Sequence, residues 1–317
     1  MYNSLALRCA DFHLYVIAFD EDCYYALSKL SLTNASIIKL EDFENERLLA
    51  VKQNRTAQEY CWTCASSTIK YCIEKYQLDH CSYVDADLLF FNDPQVLYNE
   101  MGDKSVLITK HRYTPRFDQT ASSGIYCVQY LTIKNTEEGM TVLNWWVDAC
   151  IEWCYARVEG NKFGDQKYLD DWMQRFTGIH ELQHLGGGVA PWNVQQYAFK
   201  SGHSKIIGTE LLSNEQFDLI FYHYHAFAYS WNDTFRITAA EYTITKNQVK
   251  RLYRPYVMAL LEAEERVAGL KEDFLPYKRI EDGKGIGEVI GRSIVFFIRG
   301  FYKHFYSKRF FQYGIFN

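Results

Sequence analysis

The chain has 317 residues, 48% of them hydrophobic and 17% aromatic, enough for one large core with an appendage or for two smaller domains. Five prolines and 18 glycines argue against long disordered linkers, and a formal net charge of -5 argues against a nucleic-acid binder acting through overall charge. No apolar run approaches the roughly 20 residues that cross a bilayer; the longest run near the end, Ile294 to Ile298, stops at Arg299.

In chain order, His13 to Phe19 reads as a buried strand closed by Asp20-Glu21-Asp22, and Cys23 to Leu30 as a helix. Ser36 to Leu40 is a second strand. Thr56 to Tyr76 has helical spacing, with Ile69, Cys72, Ile73 and Tyr76 on one face. A strand then ends in Val84-Asp85-Ala86-Asp87, followed by Leu88 to Phe91 and the turn Asp93-Pro94. Lys104 to Ile108 and Tyr126 to Ile133 are further strands. A helix over Gly139 to Arg157 gathers Leu143, Trp146, Val147, Cys150 and Cys154 on one side. Strands alternating with helices predict an α/β domain with a mostly parallel sheet, whose sites form at the carboxyl ends of strands. After Ile237 the composition turns helical, with Asn247 to Leu270 a charged helix. Gly283, Gly285, Gly287 and Gly291 form a joint that does not fit the dinucleotide-loop spacing.

The nine cysteines all lie between Cys9 and Cys154. Their odd number, with no secretory signal at the start, reads as reduced thiols in a cytosol. Cys61-Trp62-Thr63-Cys64 copies a redox spacing, but a polar stretch precedes it and no finger-like ligand pair follows, so these are read as ordinary cysteines.

Three stretches carry candidate chemistry. In an extended strand, residues i and i+2 share a face, so Asp85 and Asp87 can grip one hard cation. Taken alone, the spacing fits two solvated acids at a strand end at least as well. Asp165-Gln166 precedes a core-facing stripe of Leu169, Trp172, Met173 and Phe176, which puts Asp165 at a helix start, as an N-cap or as a group facing inward toward sugar hydroxyls. In Phe221-Tyr222-His223-Tyr224-His225, two histidines share one face of a strand-like run.

A strand ending in Asp-x-Asp, a later Asp-Gln and a later His-aromatic pair together resemble nucleotide-sugar glycosyltransferases of the GT-A fold, near glycosyltransferase family 8. The blocks "NRTAQEYCWTC", "YVDADLLFFNDP", "CIEWCYARVEGNKFGDQKYLDDW" and "GGGVAPWNVQQY" are similar to one bacterial subgroup of such enzymes, and the resemblance covers roughly Met1 to Tyr229. It implies a GT-A domain over residues 1–236 and a helical extension over 237–317. It implies a metal-dependent, retaining sugar transfer from a nucleotide-diphosphate sugar to a glycan or lipid-linked acceptor, as in cell-surface polysaccharide or lipopolysaccharide synthesis. Asp85, Asp87 and His223 would hold Mn2+ or Mg2+ on the donor diphosphate, with His225 as a lesser candidate. Asp165 and Gln166 would contact the donor sugar or lie near the reacting carbon. Gly188, Trp192 and Asn193 would sit in a loop beside the sugars, with glycine allowing close backbone approach and Trp192 a stacking face. Arg55, Lys110 and Arg112 would contact phosphate.

The sequence departs from the family pattern in three places. Ala226-Phe227-Ala228-Tyr229 stands where Gly and Lys-Pro-Trp follow the histidine, which bears on the diphosphate contacts. Cys127-Val128-Gln129 stands where the family has Asn-x-Gly in a central strand. Met1 to Leu5 resembles the end of the helix that follows the family's nucleotide-binding first strand, which implies an internal start or poor nucleotide-sugar binding.

The last stretch, "GRSIVFFIRGFYKHFYSKRFFQYGIFN", places Arg292, Arg299, Gly300, Lys303, His304, Ser307 and Lys308 on one polar helical stripe among ten aromatic side chains. That composition predicts an interfacial helix on the anionic inner face of the cytoplasmic membrane, or a helix docked on the domain. Two other functional readings stand beside the transferase. A haloacid-dehalogenase-type phosphatase would gather Asp85, Asp87, Asp165 and Asp170 around Mg2+, with Asp85 as nucleophile. A membrane-docking adaptor would keep only a vestigial site.

Overall fold

The computed structural model describes residues 1–203, 205–230, 233–270 and 301–314. The chain forms two compact units, Met1–Val189 with Phe217–His223, and Ala190–Gln216 with Tyr224–Asn317. The boundaries therefore fall near 189 and 223, where sequence composition places one at 236.

The first unit opens with α1 (Tyr2–Arg8), β1 (Leu14–Ala18), α2 (Glu21–Lys29), β2 (Ala35–Lys39), α3 (Leu40–Phe43) and α4 (Glu46–Lys52). β1 and β2 pair in parallel, Leu14 with Ala35 through Ala18 with Lys39. The long helix α5 (Ala57–Tyr76) starts at a capping box: Thr56 accepts from the amide of Glu59, whose carboxylate takes the Thr56 amide at 2.8 Å. It ends at Gln77, which adopts the left-handed conformation. β3 (His80–Val84), β4 (Leu88–Phe90), α6 (Gln95–Glu100), β5 (Val106–Lys110), α7 (Thr120–Ser123), β6 (Tyr126–Lys134), α8 (Glu137–Glu152), α9 (Trp172–Arg175) and β7 (Ile179–Glu181) follow.

Four of these strands form a sheet in the order β3-β6-β5-β7. β6 runs antiparallel to both β3 and β5, and only β5 with β7 is parallel. The sheet is mixed, and its longest ladders are antiparallel, which corrects the expectation of a mostly parallel sheet. Alternating strands and helices do not fix direction: β5 returns to β6 through a loop and one helical turn, which reverses the chain. β6 is buried along eight of its nine residues because both of its faces are covered. On one side Ile69 and Ile73 of α5 and Leu143, Trp146 and Val147 of α8 pack on Val106, Ile108, Leu131 and Ile133. On the other, Leu88, Phe90, Leu97, Leu107, Tyr130 and Phe221 form a second cluster.

Helix α8 ends at Glu152, short of the expected Arg157; Trp153 is already extended, and Cys154 is buried outside the helix. The Cys61 spacing lies inside α5. A helix exposes Cys61 and buries Cys64, whose thiol burial pushes up to about 12, far from a reactive thiolate.

The chain next makes β8 (Tyr197–Ser201) and β9 (Ile206–Glu210), an antiparallel pair in the second unit. β10 (Gln216–Asp218) and β11 (Phe221–His223) carry it back to the first, where β11 pairs antiparallel with β4. The second unit continues with β12 (Ala228–Ser230), β13 (Thr234–Arg236), α10 (Lys246–Gln248), a π-helical turn at Val249–Tyr253, and α11 (Arg254–Ala268). Tyr224 stacks on Tyr256 with ring centroids 3.7 Å apart.

Of the expected tail stripe, Arg292, Arg299 and Gly300 lie outside the described residues. The part that is described is not one helix. β14 (Phe305–Ser307) adds to β13, Thr234 opposite Ser307, and α12 (Lys308–Tyr313) buries Phe311. Strand pairing sets Tyr306 opposite Phe235, and the buried ring of Phe311 packs against both, so these side chains do not share one helical face. Among the described residues, no helix is long and apolar enough to cross a membrane.

Candidate metal centre

Two strand registers build the site. In the β3–β6 ladder Val84 lies opposite Tyr130, so the next residue, Asp85, faces Gln129, and its amide donates to the Gln129 carbonyl at 3.1 Å. A tight turn at Ala86-Asp87 leads into β4, where Leu88 pairs with His223 of β11. The chain neighbour of Leu88 is Asp87, so the second register delivers the imidazole to the acid pair. His223 Nε2 lies 3.1 Å from Asp87 Oδ1 and 3.7 Å from Asp85 Oδ2. One ligand atom from each of Asp85, Asp87 and His223 falls within 4.8 Å of the others.

The three side chains are electrostatically coupled. Burial raises the Asp85 carboxyl above its usual range and the Asp87 charge adds to this, while His223 and a hydrogen bond with the Tyr83 side chain pull it down. Burial opposes charge on His223. The Asp87 carboxylate, its hydrogen bond, contact with the Cys127 side chain and the Asp85 charge overcome that and hold the imidazole well above the usual histidine range. Asp165 is pushed up to about 8, by burial first and by the neighbouring Asp85 second. Two carboxylates and an imidazole suit Mg2+ or Mn2+, which take oxygen and imidazole ligands and leave positions for substrate oxygens.

The sequence-predicted residues divide sharply. Asp165 joins the centre: it is buried, senses Asp85, and its carbonyl accepts from Trp146 Nε1 at 2.9 Å. It does not cap a helix. It precedes a 3-10 turn at Lys167–Asp171, where Gly164 and Gln166 flank it and no side-chain cap is made. Gln166 donates to the Ser123 carbonyl at 2.7 Å.

The three cations expected on phosphate have partners in the protein. The Arg112 guanidinium donates to the carbonyls of Leu182, His184, Leu185 and Gly187 at 3.0–3.2 Å. Lys110 pairs with Glu181 at 2.8 Å, and Arg55 stacks on the Tyr155 ring at 3.8 Å. Gly188 has φ +94°, and a methyl group there would come within 2.7 Å of Thr109 Cγ2 and 3.1 Å of Gln129 Nε2. It is needed for the protein's own packing. Trp192 and Asn193 belong to the second unit. Trp192 is buried with its ring edge-to-face with His225, and Asn193 Oδ1 accepts the Ala190 amide at 2.9 Å, so neither presents the open sugar-stacking face expected of that loop. His225 also lies in that unit, outside the Asp-Asp-His group. Asp170 accepts from the Ile125 amide and from Lys167, away from the cation site.

Sequence reasoning missed Gln129, Cys127 and Tyr83. Gln129 Oε1 lies 2.8 Å from His223 Nδ1. A signal was present, since Gln129 is a polar residue in the middle of an apolar strand, but only the β3–β6 register shows what it faces.

No family model matches the chain. Over 293 residues it is 28% identical to the uncharacterized protein YfnD of Bacillus subtilis (strain 168), covering 89% of this chain and 91% of that protein. Over 235 residues it is 28% identical to the uncharacterized protein YfnF of the same organism, covering 72% and 76% respectively.

Proposed function

We propose that this chain is a GT-A-type glycosyltransferase that moves a sugar from a nucleotide-diphosphate donor to a glycan or lipid-linked acceptor with a divalent metal. The observation that carries the reading is the convergence of Asp85, Asp87 and His223 within 4.8 Å, from a strand end and a distant strand. Two of the blocks that resemble the bacterial transferase subgroup hold Asp85 with Asp87 and Asp165, while His223 lies outside all four.

A cation held by these three residues supplies stabilisation of the negative charge that develops on a diphosphate leaving group. The protein's own groups do the rest. In the metal-free protein the Asp165 carboxyl is pushed up to about 8 and keeps its proton at neutral pH; a cation beside it favours the carboxylate, which can accept a hydrogen bond from a sugar hydroxyl. Gln166 ties the adjoining turn to Ser123, which holds Asp165 at fixed depth. Because Arg112 is committed to four carbonyls, the positive charge opposite a diphosphate falls mainly to the cation. The position of Asp170 favours this reading over a dehalogenase-type phosphatase, which would need that carboxylate in the cation shell.

The test is a panel of nucleotide-sugars with Mn2+, read by thermal shift and by release of the nucleoside diphosphate. Stabilisation and turnover of at least one donor, both lost with EDTA and with Asp87→Asn, are the expected result. Hydrolysis of a generic phosphate ester with no response to any donor would overturn the reading.

A further inference from the structure

One polar residue buried beside the candidate cation site is Gln129. Its side chain is fully buried in β6. Oε1 accepts from His223 Nδ1 at 2.8 Å, while Nε2 has no hydrogen-bond partner among the described residues. An unsatisfied buried amide is a standing cost that a leucine would remove. Retaining it calls for a role that leucine cannot fill.

That role follows from the two nitrogens of His223. An imidazole binds a metal only through a nitrogen with a free lone pair, and the partner on the other nitrogen decides which one that is. Gln129 Oε1 is an acceptor, so it places a proton on Nδ1. Nε2, the atom 3.1 Å from Asp87 Oδ1 and 3.7 Å from Asp85 Oδ2, is then the nitrogen that can give up its proton and bind a metal.

The surroundings hold the amide in place. Its Nε2 end lies against Gly188, where a β-carbon would come within 3.1 Å. Gly188 continues the segment Leu182–Gly187, whose carbonyls Arg112 gathers, and the next residue, Val189, accepts the His223 amide at 2.9 Å. The backbone of His223 and its Nδ1 partner are thus fixed by one loop.

We propose that Gln129 is the positioning residue that locks His223 in the Nδ1–H tautomer and so makes Nε2 a metal ligand, with Gly188 and Arg112 holding the amide in register. The inference rests on the metal reading given above.

Isothermal titration of Mn2+ into the wild type, Gln129→Leu and Gln129→Glu, with thermal unfolding of each metal-free protein, tests it. Gln129→Leu should lose 10- to 100-fold in Mn2+ affinity while the metal-free protein still unfolds cooperatively, its unfolding temperature reporting the lost acceptor for His223 Nδ1–H. Gln129→Glu, which keeps an acceptor, should bind within about threefold of wild type or tighter. Nitrogen-15 spectra of histidine in the Zn2+-loaded wild type should show a proton on Nδ1 of His223 and metal on Nε2. Gln129→Met preserves chain length and replaces the leucine variant if that one does not fold. Wild-type Mn2+ affinity in the leucine or methionine variant, or metal on Nδ1 in the wild type, overturns the inference and leaves the metal reading intact. A wild-type protein that binds neither Mn2+ nor Zn2+ overturns both.

Discussion

Asp85 and Gln129 face each other across the β3–β6 ladder, the amide of one donating to the carbonyl of the other at 3.1 Å. From that shared position their side chains serve one imidazole from two sides: Asp85 Oδ2 lies 3.7 Å from His223 Nε2 and Gln129 Oε1 lies 2.8 Å from Nδ1. The site is therefore a property of a strand pair, and each of its members is expected to affect cation binding in its own way.

Asp87→Asn and His223→Ala each remove one ligand atom from the group of three. Each should weaken Mn2+ binding more than about 10-fold in calorimetry, since even outer partners of metal ligands act on that scale. Unchanged affinity in both would mean that the cluster is an internal salt bridge.

Metal binding should release a proton. Without a cation, acceptors flank both ring nitrogens, and Asp87 and Asp85 hold His223 well above the usual histidine range. A metal on Nε2 must displace the proton there. Mn2+ affinity should therefore rise with pH from 6 to 8, and titration in buffers of different ionisation enthalpy at pH 7 should report about one proton released. A pH-independent affinity would count against Nε2 as a ligand.

Asp165→Asn should stabilise the metal-free protein, more so as pH rises. The folded carboxyl titrates at about 8 against 3.8 in the unfolded chain. Between those values the folded state holds a proton that the unfolded state has lost, so stability falls with increasing pH in this window. At pH 3 wild type and variant should differ little; the variant should be ahead by about 1–2 kcal/mol at pH 5 and by about 5 kcal/mol at pH 8 in urea unfolding. Added Mn2+ should narrow the gap, because a nearby cation compensates the charge on Asp165.

Arg112→Met should destabilise the first unit by about 3 kcal/mol, because four carbonyls at 3.0–3.2 Å lose a charged donor. Arg112→Lys should recover only part of this, since one ammonium cannot span the four acceptors. If Arg112 instead served a donor phosphate, urea stability would hold and only nucleotide-sugar affinity would fall.

Several elements were readable from local pattern. The one-sided face of α5 and the core stripe of Leu143, Trp146 and Val147 in α8 found their expected environments, because side-chain period is a local property, whereas the run at His13 to Phe19 formed the expected strand with only Ala18 buried. The end of α8 was not readable, since Trp153 and Cys154 continue the apolar spacing while their backbone is already extended. In the described part of the tail, the amphipathic pattern did not show that Tyr306 would join a strand and Phe311 would pack on it, because such a pattern does not say what its apolar face meets.

The sequence by itself placed Asp85 and Asp87 at the end of a strand, but alternation along an extended backbone is not what joins them: β3 ends at Val84, and Asp87 lies in the turn that follows. It also singled out Asp165 and His223 as residue types suited to a cation and its substrate. Only the tertiary structure decided that Gln129 stands behind the imidazole, that Arg112 and Gly188 support a loop, and that Lys110 and Arg55 have protein partners. Those outcomes depend on strand direction and on registers joining residues 44 and 94 positions apart, Asp85 to Gln129 and Gln129 to His223. A register is chosen by the packing of whole faces, so no short stretch of sequence contains it.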